Sequence, residues 1–225
     1  MQIQILKNTE NEISFVIRGI NPAIANYIRR SMVAEIPILA IDEVNFIKND
    51  SVLYDEIIAH RLGLTPLKTD LKSYELTEEC TCKGAGCAKC TLNFTLKAKG
   101  PGMVYASDLK SQDPKISSVY EKMPIVLLVK NQELELEATA RLGLGKNHAK
   151  FIPGVIYYRS AISGKGKSVS ELDFKDTAEY ELDSETDFVF TIESFGQLTA
   201  REIFEVGLKR FNEKLDEFEK FLKKI

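Results

Sequence analysis

The feature that most constrains this fold is the last stretch of the chain, Thr199 to Ile225, which reads as one long amphipathic helix. Thr199 caps its N-terminus, and Glu202 reaches back to complete a capping box. Phe204, Leu208, Phe211, Leu215, Phe218 and Leu222 then recur at alternating steps of four and three, the spacing that keeps one stripe facing a partner helix. No proline interrupts the run. Burying a large apolar side chain contributes roughly 1.5–3 kcal/mol, so six on one stripe represent on the order of 10–15 kcal/mol before ordering costs. Such a stripe must be covered, either by the chain's own core or by another chain, and the pattern alone leaves both readings open.

With 225 residues, 44% of them hydrophobic, the chain suffices for one sizeable domain or two small ones. Its net charge is only −3, which gives no global electrostatic case for nucleic-acid binding, since phosphate contacts need a concentrated basic surface. The opening Met1 to Ile5 alternates like a strand and lacks the basic lead and apolar run of a secretory signal. No stretch approaches the ~18 apolar residues of a membrane span. A cytoplasmic protein is expected. All four cysteines lie between Cys80 and Cys90, and in a reducing compartment such a cluster points to a metal rather than to disulfides.

Residues 2–6 and 12–18 read as two strands, with Ile13, Phe15 and Ile17 on one face of the second. Asn21 and Pro22 cap and open a helix on which Ile24, Ile28, Met32 and Ile36 share a face, and Pro37 ends it. Arg29 and Arg30 point elsewhere, onto a solvated face or towards an acidic partner surface. Ile38 to Lys48 alternates as a strand with a bulge near Asp42 and Glu43. Tyr54 to Leu62 forms a short helix stopped by Gly63 and Pro66. His60 has no second ligand at metal-binding spacing and reads as a packed or hydrogen-bonded histidine.

Further strands are expected at 91–99, 125–129, 132–142, 154–160 and 188–192. Between them, Gly143 to Ala149 is a glycine turn carrying Lys146. It is no phosphate loop, because Ala140 and Asn147 stand where that motif needs glycine and Ser/Thr. Ser163 to Ser168 reads as a flexible basic loop, and Phe174 with Ala178 to Leu182 as another strand. Roughly ten strands and three helices, with the helices at the edges of strand runs, make the class α+β. The order also suggests nesting: the hairpin, first helix, late strands and last helix form one body, and the middle of the chain a second one inserted into it.

The cysteines run C-x-C, four residues, C-x-x-C through Cys80, Cys82, Cys87 and Cys90. Four thiolates satisfy tetrahedral Zn²⁺, and Gly84 and Gly86 let the backbone bring both pairs together. Such a zinc is structural, since four sulfur ligands leave no open position for water. An iron–sulfur cluster suits the short spacing less well, and a redox dithiol should open a helix, whereas Cys90 leads into a strand. No nucleophile elbow, histidine triad or paired acidic motif emerges, so the sequence favours assembly over chemistry.

Three motifs then carry a resemblance: Asn26-Tyr27-Ile28-Arg29-Arg30, Ala59 to Leu67, and Gly145 to Phe151. They resemble the D-type subunits of archaeal DNA-directed RNA polymerase, the family of the bacterial alpha subunit N-terminal domain and the eukaryotic RNA polymerase II third-largest subunit. The resemblance implies a two-domain alpha-subunit-like architecture. Residues 1–43 and 150–225 would be a discontinuous dimerisation domain with the long C-terminal helix, and 44–149 an inserted mostly-β domain with the cysteine loop 80–90. It implies a non-catalytic assembly subunit that pairs with subunit L through the seam and contacts subunits N and P and the second-largest catalytic subunit. Arg29, Arg30, His60, Arg61, Lys146 and His148 would face the polymerase, and the cysteine loop looks like the zinc loop of the eukaryotic relative. Some archaeal members carry a ferredoxin-like insert, but Ser160 to Phe174 is short and free of cysteine, so no iron–sulfur cluster is expected. The competing readings are a zinc-stabilised nucleic-acid-binding module using Lys83, Lys89, Lys97 and Lys99, and a homodimeric scaffold.

Overall fold

A computed structural model describes residues 2–161 and 186–223. The basic loop expected at Ser163 to Ser168 and the strand expected around Phe174 to Leu182 lie outside the described residues. In chain order the elements are β1 (Gln2–Asn8), β2 (Glu12–Arg18), α1 (Pro22–Ala34), β3 (Pro37–Asn49), α2 (Asp55–Gly63) and β4 (Thr91–Lys99). Then come β5 (Gly102–Tyr105), β6 (Lys110–Ser111), β7 (Pro124–Leu128), β8 (Glu133–Leu144), β9 (Gly154–Ser160), β10 (Asp187–Ser194) and α3 (Ala200–Leu222). The class is α+β. The chain forms two compact units: 1–36 with 153–225, and 37–152. In the second, β3 pairs with β8 from its first residue, Pro37 opposite Leu144.

The discontinuous unit is an antiparallel sheet in the order β1-β2-β10-β9, bearing α1 and α3. Register sets Ile13, Phe15 and Ile17 beside Ile192, Phe190 and Phe188, so one face of two central strands is wholly apolar. Helix α3 lies on that face, with the Phe204 ring 4.6 Å from the Phe15 ring. Its capping box forms as the sequence predicts, Thr199 and Glu202 each satisfying the other's backbone N–H. Helix α1 starts at Asn21, whose side chain accepts from the Ile24 N–H at 2.8 Å. The two helices meet closely: the Ser31 hydroxyl donates to the Gly207 carbonyl at 2.9 Å. Ile24 departs from the expected face and is exposed, while Ala25, Ile28 and Met32 are buried.

In the continuous unit the sheet runs β3-β8-β4-β6. Leu134, Leu136, Ala138, Ala140 and Leu142 alternate inward along β8 and join one core with Leu39, Ile41, Ile58, Leu62, Phe94 and Leu96. Their outward neighbours form cross-strand ion pairs, Lys97 with Glu135 at 2.8 Å and Glu133 with both Lys99 at 2.6 Å and Lys48 at 3.1 Å. The expected bulge sits at Asp42, where register shifts between Ile41 and Glu43. Helix α2 ends at Gly63 without a left-handed residue; Leu64 closes it by donating to the His60 carbonyl at 3.1 Å.

Candidate metal centre and subunit interfaces

Loop 80–90 folds on itself because Lys83, Gly84 and Gly86 adopt left-handed backbone, at φ 54°, 88° and 82°. The Cys90 and Thr91 amides both donate to the Cys87 carbonyl at 2.9 Å, closing the C-x-x-C turn. All four Sγ atoms lie within 4.8 Å of one another, with Cys80–Cys87 and Cys82–Cys90 at 3.5 Å and Cys87–Cys90 at 3.8 Å. Zinc–sulfur bonds of ~2.3 Å in a tetrahedron set sulfur atoms ~3.8 Å apart, so the donor set fits that ion in chemistry and in size. Burial opposes ionisation of Cys82, but hydrogen bonds from Cys80, Cys90 and the Gly84 and Gly86 amides outweigh it and bring its thiol down to about 6. Burial pushes Cys90 up to about 12. Metal entry therefore releases protons from this loop.

Helix α3 divides along its length. Ala200, Ile203 and Gly207 are buried, and Phe204, Leu208 and Phe211 are half-buried against their own unit, Phe211 with its ring 4.8 Å from Tyr27. Beyond them Leu215, Phe218 and Leu222 are 50%, 62% and 52% exposed. Phe221, which the heptad reading left out, is exposed as well. On β1, Ile3 and Ile5 pair with Ile17 and Phe15, which places them on the helix-bearing face, yet both are exposed. Sequence alternation put them in a strand but gave no sign of their exposure.

The residues singled out through the resemblance fall at several places. Arg29 folds back onto Asn26 at 2.8 Å, and Arg30 lines a groove of about 220 Å³ with Tyr27, Ser31, Glu35 and Lys214. Arg61 donates to the Ile125 carbonyl at 2.7 Å, a bond that ties α2 to β7. Lys146 is exposed in the turn after β8. His60 and His148, distant in sequence, line one cavity of about 130 Å³ together with Asp42 and Lys150. Lys150, within the Gly145 to Phe151 motif but not among the residues singled out there, donates to Asp42 and to the Ile41 carbonyl, and its own amide donates to His148 Nδ1 at 3.0 Å. Among the described residues no helix is long and apolar enough to cross a membrane.

An antiparallel unit inserted into a sheet-and-helix unit, with a long terminal helix and a tetracysteine loop, is consistent with a two-domain alpha-like architecture. The family model for the RNA polymerase Rpb3/RpoA insert domain matches residues 40–157. Similarity to individual relatives extends over the whole chain. DNA-directed RNA polymerase subunit Rpo3 of Archaeoglobus fulgidus is 34% identical over 260 residues, covering all of this chain and 98% of the relative. Its Pyrococcus furiosus counterpart is 35% identical over 262 residues, with the same coverage. That of Pyrococcus horikoshii is 46% identical over 159 residues, covering 71% of this chain and 59% of the relative. The chain belongs to the archaeal Rpo3 family of DNA-directed RNA polymerase subunits, the D-type members of the family of alpha and Rpb3.

Proposed function

We propose that this chain is a non-catalytic assembly subunit that pairs through α3 with a smaller alpha-like chain, subunit L, and so nucleates the polymerase. The observation that carries the reading is the outer half of α3, where Leu215, Phe218, Phe221 and Leu222 stand in solvent in a helix otherwise built onto its own sheet. Covering four half-exposed large apolar side chains contributes on the order of 3–6 kcal/mol. That is a substantial share of a stable interface, to which exposed Ile3 and Ile5 add area. The discontinuous unit, expected to span 1–43 and 150–225, serves as the dimerisation domain.

The remaining surfaces serve the rest of the enzyme: Arg29, Arg30, His60, Arg61, Lys146 and His148 contribute contacts to subunits N and P and the second-largest catalytic subunit. Nucleotide addition belongs to the large subunits. Cys80, Cys82, Cys87 and Cys90 hold a structural Zn²⁺, which when bound would cross-link the loop and supply no reactive position. No iron–sulfur centre is proposed, and the setting is the cytoplasm. Two of the four lysines of the nucleic-acid-binding alternative, Lys97 and Lys99, are engaged in ion pairs on β4, which weighs against that reading. Native mass spectrometry of the tagged chain purified in mild salt tests the assembly role. One copy beside a small alpha-like subunit and the large polymerase chains supports it; a homodimer or a lone monomer refutes it.

A further inference from the structure

In loop 80–90 each accessible thiol faces a buried one. Cys80 and Cys90 are only 4% and 0% exposed, whereas Cys82 and Cys87 reach the surface in part. Two sulfur–sulfur approaches cross between these classes, Cys82 to Cys90 and Cys80 to Cys87, each at 3.5 Å. Cys87 and Cys90, the two ends of the C-x-x-C turn, stand farther apart at 3.8 Å.

The backbone between the pairs is open to small solutes. Gly84, Ala85 and Gly86 are exposed, and they also line a cavity of about 490 Å³ with Thr77, Thr91 and Arg141. Charge favours reactive sulfur as well. Four thiolates around one Zn²⁺ carry two net negative charges, and the loop holds two lysines, Lys83 and Lys89, and no acidic residue. Neither lysine makes an ion pair among the described residues. Their charge favours the thiolate, the form that attacks a peroxide.

We infer that loop 80–90 is a peroxide-reactive modification site that closes into two crossed disulfides, Cys82–Cys90 and Cys80–Cys87. In each pair the accessible thiolate attacks one oxygen of hydrogen peroxide. The O–O bond breaks, hydroxide leaves with its electron pair, and the sulfur becomes a sulfenic acid. The buried thiolate then attacks that sulfur, the S–O bond breaks, a second hydroxide leaves and the disulfide is made. Each disulfide has thus given two electrons to one peroxide. A zinc ion in the loop, stripped of thiolate ligands, departs as Zn²⁺ with its own charge unchanged.

Only that metal release rests on the zinc reading above; the pairing rests on the sulfur positions. A buried partner at contact distance captures the sulfenic acid before a second peroxide carries it to sulfinate. In a reducing compartment the thiolates prevail, so the disulfide form records exposure to peroxide. Crossed bridges tie Cys80 and Cys82 to Cys87 and Cys90, so the oxidised loop stays closed without its metal. Its local charge becomes more positive as the thiolates are consumed.

The test is to titrate the full chain, purified anaerobically, with hydrogen peroxide. Free zinc is followed with a metallochromic dye, and bridges are located by peptide mapping without reduction. Zinc should be released as four thiols disappear, at about two peroxides per ion. The map should show Cys82–Cys90 and Cys80–Cys87, elution from an anion exchanger should come earlier, and dithiothreitol with added zinc should reverse all three changes. Four free thiols in excess peroxide, sulfinate in place of disulfide, or any other pairing of the cysteines overturns the inference. A wild-type chain that carries no zinc as purified refutes the zinc reading alone, and the disulfide map of the same protein still decides the pairing.

Discussion

Gly207 faces Met32 so closely that a Cβ on it would lie 2.4 Å from the Met32 Cγ and 3.3 Å from its Cα. This is where α3 and α1 touch. Glycine in a helix interior normally costs ~1 kcal/mol relative to alanine, so Gly207→Ala would be expected to stabilise a free helix. Here the added methyl drives the helices apart, and overpacking of this kind costs about 1–3 kcal/mol. Gly207→Ala should therefore lower the thermal midpoint; a raised midpoint would mean that the helices are not held at this separation.

Asp42 offers a pH-resolved prediction. Burial works against its charge, but hydrogen bonds from Lys150 and Arg141, reinforced by their positive charges, outweigh it and leave the carboxyl below its ordinary 3.8. A depressed folded-state value means the stabilisation is fully present above the unfolded pKa and is lost as pH falls through the lower folded one. Asp42→Asn leaves the Lys150 ammonium, only 13% exposed, without its counter-charge. It should cost about 1–3 kcal/mol at neutral pH. In paired thermal melts the gap between wild type and variant should close as pH drops below about 4. A gap that persists unchanged into strong acid would assign the loss to shape and not to charge.

The cysteine loop should hold one zinc per chain through four thiolates. Elemental analysis of anaerobically purified protein should find it, and cobalt in its place should give the intense visible bands of a tetrahedral sulfur site. Cys90→Ser removes a buried ligand and should abolish stoichiometric binding. Full occupancy in that variant, or four free thiols and no metal in the wild type, would contradict the assignment.

How much of the fold and of these sites is legible in the sequence depends on whether the determining contacts are local. The capping box at Thr199 and Glu202, the Asn21 cap and the bulge at Asp42 are written into neighbouring residues and appear where expected. The clustering of four thiols follows from two close pairs and the left-handed backbone between them. Periodicity places Phe204 to Leu222 on one stripe but cannot divide it, because a face turned to its own sheet and a face turned outward share the same spacing. The meeting of Lys150 with Asp42, and of His60 with His148 around one cavity, depends on distant segments brought together by β3 and β8. No local pattern announces it. Nothing in the sequence singles out Gly207, and only the packing of Met32 against it gives the missing side chain a purpose.

The central claim, that the outer half of α3 is a pairing surface, is tested most directly by calorimetric titration of the chain with its small alpha-like partner. Phe218, 62% exposed, is the right probe, since Phe211 also packs on Tyr27 in its own unit. Phe218→Glu leaves the isolated chain folded but would bury an unpaired carboxylate in the pair, a penalty of several kcal/mol. The expected result is wild-type binding at one to one and a loss of affinity of about a hundredfold or more in the variant. Equal affinity for both proteins would contradict the account.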